Sequence, residues 1–253
     1  MLKTRVIPIV LLKDGEVAVK SVRFGWLRPI NHPVNSVRVY NARDVDELLF
    51  LDISATREKR KPLLDLIALI LDDCFMPLTV GGGVKDLETM HDLLKVGADK
   101  IAINTQAVIT PQLITQGAKE FGSQCIVASI DAKKYDNGTY EVFTQAGTQP
   151  TGYDPVAWAK EMEARGAGEI LIQSIDNDGT EEGYDTQLIR SVADAVNVPV
   201  IAAGGAGKLQ DFLQAVKKGH ASALAASSIF LFTDITPNTV KKYLKKQGVQ
   251  TRI

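Results

Sequence analysis

Cysteine and histidine are both scarce in this chain of 253 residues. The two cysteines, Cys74 and Cys125, are too few for a disulfide framework and lack metal-ligand spacing, so we expect a reducing compartment, the cytoplasm. The three histidines, His32, His91 and His220, lie far apart in the sequence and are interpreted as surface or loop residues. The composition therefore predicts neither a metal site nor a cofactor.

Excess charge and long apolar runs are also missing. The formal net charge is −1, which gives no electrostatic basis for nucleic acid or an anionic membrane as the main partner. No apolar stretch reaches the length of a transmembrane helix, and the first residues do not form a signal-peptide pattern. We therefore expect no membrane association. The 45% hydrophobic and 23% charged residues are ordinary for a globular protein.

The chain does contain an internal repeat of about half its length. Three motifs of the first half recur in the second half at similar spacing. They are Phe50-Leu-Asp-Ile-Ser, Val80-Gly-Gly-Gly-Val and Ile101-Ala-Ile-Asn-Thr, then Ile172-Gln-Ser-Ile-Asp, Ala203-Gly-Gly-Ala-Gly and Leu224-Ala-Ala-Ser-Ser. Such a repeat indicates two like halves, at about 1–122 and 123–253, that close one structure.

Eight short apolar runs alternate with segments of helical period along the chain. The predicted strands are Arg5–Leu11, Glu47–Ile53, Pro77–Gly81, Lys100–Asn104, Cys125–Asp131, Glu169–Ser174, Pro199–Ala203 and Ser222–Ala226. Eight βα units predict a single (β/α)8 TIM barrel over residues 1–253, with a doubly wound open sheet as the alternative. Helices are expected over Lys59–Asp73 and Thr110–Phe121, among others. The lysine-rich run 241–246 is expected to be a solvated final helix.

Glycines and polar residues follow the predicted strands, where active sites of this fold are built. Backbone amides of glycine-rich turns in front of helices bind phosphate oxygens. Two phosphate cradles are predicted, one from Gly82, Gly83, Asn104 and Thr105 and the other from Gly204, Gly205 and Ser227. Together they predict a ligand with a phosphate at each end. The alternative is that these glycines only form tight turns.

Asp131 ends an otherwise apolar strand, where burial would raise its pKa toward neutrality and suit it to general acid or base catalysis. The alternative is a capping or ion-paired aspartate. Asp52 and Asp176 occupy equivalent positions in the repeat and are expected to order the site. Asp178, followed by Gly179, is expected to contact substrate or to hold its loop.

Longer strings connect these motifs to a known family. They are Glu47-Leu-Leu-Phe-Leu-Asp-Ile-Ser-Ala, Gly97-Ala-Asp-Lys-Ile-Ala-Ile-Asn-Thr, Ile130-Asp-Ala-Lys, Arg165-Gly-Ala-Gly-Glu-Ile, Asp178-Gly-Thr-Glu-Glu-Gly-Tyr-Asp and Ala203-Gly-Gly-Ala-Gly-Lys. The chain resembles, over essentially its full length, the HisF family, the cyclase subunits of imidazole glycerol phosphate synthase. The resemblance implies a bis-phosphorylated ligand. It also implies ammonia delivered through the barrel from a separate, HisH-like glutaminase subunit on the N-terminal face.

In this family a ring of charged residues guards the ammonia entrance. The resemblance assigns that gate to Arg5, Glu47, Lys100 and Glu169, all at the starts of predicted strands. The alternative is a structural layer of salt bridges.

Three departures from the family bear on its reaction. The family uses two aspartates for acid–base work; one matches Asp131, but the other falls at Leu11, and leucine transfers no proton. Asp14 lies past the strand end and is a poor substitute. The loop after the first strand reads Asn31-His-Pro where the family has Gly-Asp-Pro, and Ala146 replaces a hydroxyl residue.

Three functions are consistent with these observations. The favoured one is a HisF-like ammonia-channelling subunit that serves acetamidino-sugar formation in surface-polysaccharide (O-antigen) biosynthesis, together with an ATP-dependent sugar amidotransferase. The second is an active imidazole glycerol phosphate synthase cyclase, a lyase of histidine biosynthesis. The third is a non-catalytic partner that stabilises or activates a glutaminase.

Overall fold

Eight parallel strands close into a barrel in the computed structural model, which describes residues 3–43 and 45–252. Positions 1, 2, 44 and 253 of the predicted domain lie outside the described residues. The strands are β1 (Arg5–Lys13), β2 (Val17–Val22), β3 (Trp26–Asn31), β4 (Leu48–Asp52), β5 (Leu78–Gly81), β6 (Lys100–Ile103), β7 (Ile126–Lys134), β8 (Tyr140–Thr144), β9 (Gln149–Pro150), β10 (Glu169–Ser174), β11 (Val200–Ala203) and β12 (Ala223–Ala226).

The barrel strands pair in the order β1-β4-β5-β6-β7-β10-β11-β12, and β12 returns to pair with β1. Every pairing in this circuit is parallel, as the register of Arg5 with Ala223 and of Asp131 with Gln173 illustrates. The predicted (β/α)8 barrel is confirmed, and each predicted strand is present with ends that differ by a few residues.

The four remaining strands extend two loops at the C-terminal end of the barrel. β2 and β3 form an antiparallel hairpin that continues from β1, and we call residues 17–31 the β2–β3 hairpin. β8 and β9 extend β7 in the same antiparallel manner. Both extensions place backbone and side chains over the mouth of the barrel.

Helices cover the outside of the barrel. They are α1 (Pro33–Ala42), α2 (Leu64–Leu71), α3 (Leu87–Val96), α4 (Thr105–Ile109), α5 (Gln112–Phe121), α6 (Pro155–Ala164), α7 (Thr186–Ala193), α8 (Leu209–Lys217), α9 (Ser228–Phe232) and α10 (Pro237–Lys246). The predicted helix Lys59–Asp73 was too long. The helix runs from Leu64 to Leu71. Lys59 has a φ of 56° and Leu63 a ψ of 85°, and both values lie outside the helical region.

Side chains of the barrel strands alternate between two apolar clusters, because successive residues of a strand point to opposite faces. Val6, Val10 and Leu12 join the large cluster formed with the surrounding helices. Ile7 and Ile9 belong to a separate buried cluster. That second cluster consists of Ile7, Ile9, Leu11, Val19, Leu49, Ala102, Val127, Leu171, Ile201, Ala203, Ala223 and Ala225. It fills the barrel interior.

The prediction that the lysine-rich end of the chain is a solvated helix was wrong at one position. Lys241 in α10 is only 4% exposed, and its Nζ lies 3.0 Å from Oδ1 of Asp46. The second carboxylate oxygen of Asp46 accepts a hydrogen bond from the backbone N–H of Val6. The final helix is therefore attached to the start of β1 by a buried ion pair.

Candidate functional site

Four charged side chains meet at the N-terminal end of the barrel. Arg5 contacts Glu47 at 2.6 Å and Glu169 at 2.9 Å, while Lys100 contacts the same two carboxylates at 3.0 and 3.1 Å. Thr79 donates a further hydrogen bond to Glu47 at 2.9 Å. Positive and negative charges alternate around this closed ring, so each carboxylate contacts both cations.

The opposite charges within the ring compensate the cost of burying Arg5 in its charged form. Burial works against the charged form of Arg5, but the Glu47 and Glu169 carboxylates outweigh it and raise the pKa of the guanidinium. The four residues predicted as an ammonia gate therefore do come together, in the geometry that a gate and a purely structural layer would share. Their role as a gate stays a prediction.

The inward-facing side chains of the strands lie between the ion ring at one end of the barrel and the mouth at the other. Two residues after Arg5 comes Ile7, then Ile9 and Leu11, all buried in the interior cluster. The same alternation leads from Glu169 through Leu171 to Gln173. Apolar side chains thus separate a charged end from a polar end.

A cavity of about 960 Å³ lies at the C-terminal end of the strands. Gly82, Gly83, Asn104, Thr105 and Asp131, all predicted as site residues, line it. Leu11 contributes an apolar wall together with Leu27, Leu51 and Ile53. The cavity is large enough for a phosphorylated metabolite.

Asp131 lies on the polar side of this cavity. It is 8% exposed and has one close side-chain partner, the amide of Asn104 at 3.3 Å. Burial, followed by the nearby charge of Asp178, raises the pKa of Asp131 to about 7. A carboxyl group that titrates near neutral pH can both accept and donate a proton. The alternative pairing with Lys133 is not present, since Lys133 lies over the ring of Phe143.

The first predicted phosphate cradle is held by Asp52. Its carboxylate accepts hydrogen bonds from the backbone of Ser54 and Ala55 and forms a salt bridge with Arg60 at 2.6 Å. Gly82 has a φ of 102°, and a Cβ there would collide with the carbonyl of Asp52. Asp52 therefore shapes the turn beside the cavity, as expected for a residue that orders the site.

The second predicted cradle lies away from the described cavity lining. Gly204 and Gly205 both have positive φ and approach the loop after β10 closely. The hydroxyl of Ser227 is buried without a hydrogen-bond partner. An unpaired buried hydroxyl beside a glycine turn is compatible with an oxyanion ligand. Phosphate binding at both cradles stays a prediction.

Asp178 and Gly179 lie beneath the β2–β3 hairpin. The hydroxyl of Ser21 donates to the Asp178 carboxylate, and the N–H of Arg23 donates to the Asp178 carbonyl at 2.8 Å. A side chain at Gly179 would collide with the carbonyl of Ser21. In this conformation Asp178 holds its loop to the hairpin. The Asp176 carboxylate is held to the end of β7, because it accepts a hydrogen bond from the backbone N–H of Lys134 at 2.7 Å.

The sequence interpretation missed the hairpin and Gln173. Ser21, Phe24 and Leu27 of the hairpin line the cavity, as does Gln173 from β10. Alternating apolar residues around a short turn were a usable signal for the hairpin. Gln173 had a signal too, because it lies near the end of the predicted strand Glu169–Ser174, where active sites of this fold are built. In the structure it is the register partner of Asp131.

Across residues 3–43 and 45–252, no helix combines the length and apolar character needed to cross a membrane. The same residues contain no cluster of three or more His, Cys, Asp or Glu side chains arranged to hold a metal ion.

Fold and site together define a (β/α)8 barrel with a buried ion ring at one end and a cavity containing a carboxyl group at the other. Residues 5–236 match the family model described as histidine biosynthesis protein. Two relatives from strains of Caulobacter vibrioides, each named imidazole glycerol phosphate synthase subunit HisF, are 48% identical over all of this chain and 97% of their own length. The chain belongs to the HisF family of histidine biosynthesis proteins, and the predicted resemblance is confirmed.

Proposed function

We propose that this chain is the synthase subunit of a HisF-type glutamine-dependent amidotransferase. It receives ammonia at the ion ring from a separate HisH-like glutaminase subunit and uses it at the C-terminal cavity on a phosphorylated small molecule. The observation that supports this most directly is the placement of the Arg5–Glu47–Lys100–Glu169 ring and of Asp131 at opposite ends of one apolar barrel interior.

The chemistry proposed for the cavity needs one group that moves a proton. Ammonia attacks an electrophilic carbon of the ligand, and the nitrogen then has to lose a proton while an oxygen gains one. Asp131 suits both transfers, because its pKa of about 7 leaves both protonation states populated. Asn104 holds the carboxyl group by its amide. On this route ammonia has to cross the packed apolar side chains of the barrel interior, an environment that disfavours ammonium relative to uncharged ammonia.

The relatives favour imidazole glycerol phosphate synthesis as the particular reaction. Both relatives are named imidazole glycerol phosphate synthase subunit HisF, and the identity extends over the whole chain. In this hypothesis Leu11 is tolerated, and Asp131 alone performs the acid–base steps. We expect the loss of the second acid to cost on the order of 10² in rate.

A second candidate is redirected chemistry in acetamidino-sugar formation, with an ATP-dependent sugar amidotransferase as a further partner. One observation favours it over the first candidate, namely that Leu11 packs with Leu51 and Leu27 in an apolar wall instead of presenting an acid to Asp131. The relatives' names do not support this sugar role. A non-catalytic activator of a glutaminase is the remaining alternative.

The test is a cyclase assay with the bis-phosphorylated substrate of the histidine pathway and excess ammonium salt. Four proteins are compared: the wild type, Leu11→Asp, Asp131→Asn and, as a control at the same mouth, Asp14→Asn, whose carboxylate is exposed beside Lys13. For the imidazole-forming reaction we expect measurable wild-type turnover that Asp131→Asn abolishes, Asp14→Asn preserves and Leu11→Asp increases.

Other outcomes separate the candidates. Turnover by Leu11→Asp without any by the wild type would favour redirected chemistry on a retained scaffold. If neither protein turns over, a HisH-like glutaminase is added with glutamine. Glutaminase stimulation alone would support the activator, and its absence would contradict the proposed function altogether.

A further inference from the structure

The start of β1 is held differently on its two sides. On one side the ladder with β12 includes Arg5 itself. On the other side the parallel pairing with β4 begins only at Ile9 and Leu49. Between that pair and the ion ring, the backbone N–H of Val6 donates a hydrogen bond to the carboxylate of Asp46 at 3.1 Å. A side chain therefore takes the place of the ladder next to Arg5.

Asp46 also lies next to a residue of the ring. It directly precedes Glu47 in the chain, as Val6 directly follows Arg5. The hydrogen bond from Val6 to Asp46 thus joins the backbone beside two side chains that contact each other at 2.6 Å. Because Arg5 and Glu47 belong to neighbouring strands, this bond helps to fix the separation between them.

The last part of the chain holds Asp46 in turn. We call residues 237–251, which comprise α10 and the residues after it, the C-terminal segment. Lys241 in this segment lies 3.0 Å from the other carboxylate oxygen of Asp46, and both side chains are buried. Asn238 donates a hydrogen bond at 2.7 Å to the carbonyl of Arg43, in the loop that leads to β4. The residues before β4 are therefore attached to the C-terminal segment at two points.

The same segment holds the residue before Arg5. The backbone N–H of Thr4 donates to the carbonyl of Gln250 at 2.8 Å, and Thr4 forms a parallel bridge with Thr251. The hydroxyl of Thr251 donates to the carbonyl of Lys241 at 3.3 Å. Both sequence neighbours of Arg5 are therefore held by the C-terminal segment, one directly and the other through a side chain.

The ring needs this accuracy because Arg5 serves two carboxylates at once. Its Nη1 lies 2.6 Å from Glu47, and its Nη2 lies 2.9 Å from Glu169. Hydrogen bonds from nitrogen to oxygen are usual only up to roughly 3.2 Å, so a shift of the Arg5 backbone by about 1 Å would break one of the two contacts. The ring stays closed only while the start of β1 keeps its place.

We propose that Asp46 and Lys241 are positioning residues for Arg5, and that through them the C-terminal segment holds the ion ring closed. Both act through the backbone at the start of β1 and do not contact ammonia themselves. A partner that displaces the C-terminal segment would open the ring without touching it. The use of the ring as an ammonia entrance rests on the proposed function, whereas the positioning of Arg5 does not.

The test follows the Arg5 guanidinium directly, by ¹⁵N NMR of arginine-labelled full-length protein well below the Tm of each variant. Its signals are assigned with Arg5→Lys. In the wild type the two terminal nitrogens face different carboxylates and should give separate signals. In Asp46→Asn and in Lys241→Met, rotation about the Cζ–Nε bond should become faster by about tenfold or more, because a charged hydrogen bond is weakened. A chain ending at Val249, which lacks the bonds to Thr4, should show the same change.

Two controls separate positioning from a general loss of stability. Lys242→Met changes the next, exposed residue of α10 and should leave the Arg5 rotation unchanged. Leu188→Ala removes a buried side chain in the first turn of α7, toward the opposite end of the barrel, and should lower the Tm without changing the rotation rate. The inference is overturned if Asp46→Asn and Lys241→Met rotate at the wild-type rate, or if Leu188→Ala accelerates the rotation equally.

Product formation is measured separately, with glutamine and a HisH-like glutaminase and, in parallel, with ammonium salt. If Lys241→Met changes both the rotation rate and the ratio of glutamine-dependent to ammonium-dependent product, the inference and the entrance role are both supported. If the rotation becomes faster while this ratio stays at the wild-type value, the inference holds and the entrance role in the proposed function fails. If the rotation does not change, the inference fails whatever the activity shows.

Discussion

Replacement of Lys241 by methionine should destabilise the protein far more than the same change at the next residue. Lys241 and Asp46 form an ion pair at 3.0 Å, with side chains 5% and 4% exposed. Methionine keeps most of the side-chain volume but leaves the Asp46 carboxylate buried. The hydrogen bond from the N–H of Val6 would then be its remaining described partner.

The magnitude follows from the cost of a buried charge that has lost its partner. Removing one member of a buried ion pair typically costs about 3 to 5 kcal/mol. We take about 3 kcal/mol, because the Val6 hydrogen bond stays in place. In a domain of this size each kcal/mol corresponds to roughly 2 to 4 °C in Tm, which predicts a decrease of about 6 to 12 °C.

The assay is urea unfolding followed by circular dichroism at pH 7, together with a thermal scan. Lys242→Met is the matched control, since Lys242 lies on the same helix but is exposed, and it should change the free energy of unfolding by less than about 0.5 kcal/mol. Asp46→Asn combined with Lys241→Met should cost less than the sum of the two single changes. Equal stabilities of Lys241→Met and Lys242→Met would refute the reasoning.

Two further stability predictions concern the cavity. The folded state binds the Asp131 proton more tightly than the unfolded chain, since the pKa is about 7 in the folded state and roughly 3.9 in the unfolded chain. The contribution of Asp131 to the free energy of unfolding should therefore fall as the pH rises to about 7 and then level off. Asp131→Asn should therefore gain about 3 kcal/mol relative to the wild type between pH 5 and pH 8, measured by urea unfolding; a pH-independent difference would contradict this. Gly82→Ala should lower stability by roughly 2 kcal/mol or more, because it adds a collision with the Asp52 carbonyl to a φ of 102°. In the same thermal scans Gly138→Ala, at a φ of 83° with open space around it, should cost less, and equal Tm values would count against the collision.

The four residues of the ion ring, which the family resemblance assigns as a gate, show how far a strand pattern can predict contacts. Arg5, Glu47, Lys100 and Glu169 each stand at or next to the start of a barrel strand. In a closed parallel barrel all strand starts lie at one end, and alternation decides which side chains point inward. Their mutual contacts follow from these two facts, so the ring was predictable once the strands were recognised.

Lys20 and Lys241 show where such reasoning ends. Both occupy sequence contexts typical of exposed lysines, yet both are buried by segments distant in the chain. Lys241 forms an ion pair with Asp46 at the bottom of the barrel, and Lys20 lies beside Gly179 only because the hairpin folds over the loop after β10. No local periodicity encodes either encounter.

The order of strands and helices, the closure of the barrel and the residues at each strand end were determined by the sequence itself, since apolar period and turn chemistry act over a few residues. The tertiary structure alone decided the docking of the β2–β3 hairpin, the burial of Lys20 and Lys241, and the contribution of Asp178 to the raised pKa of Asp131. These depend on desolvation and on charges from distant segments, and both quantities exist only after the chain has folded.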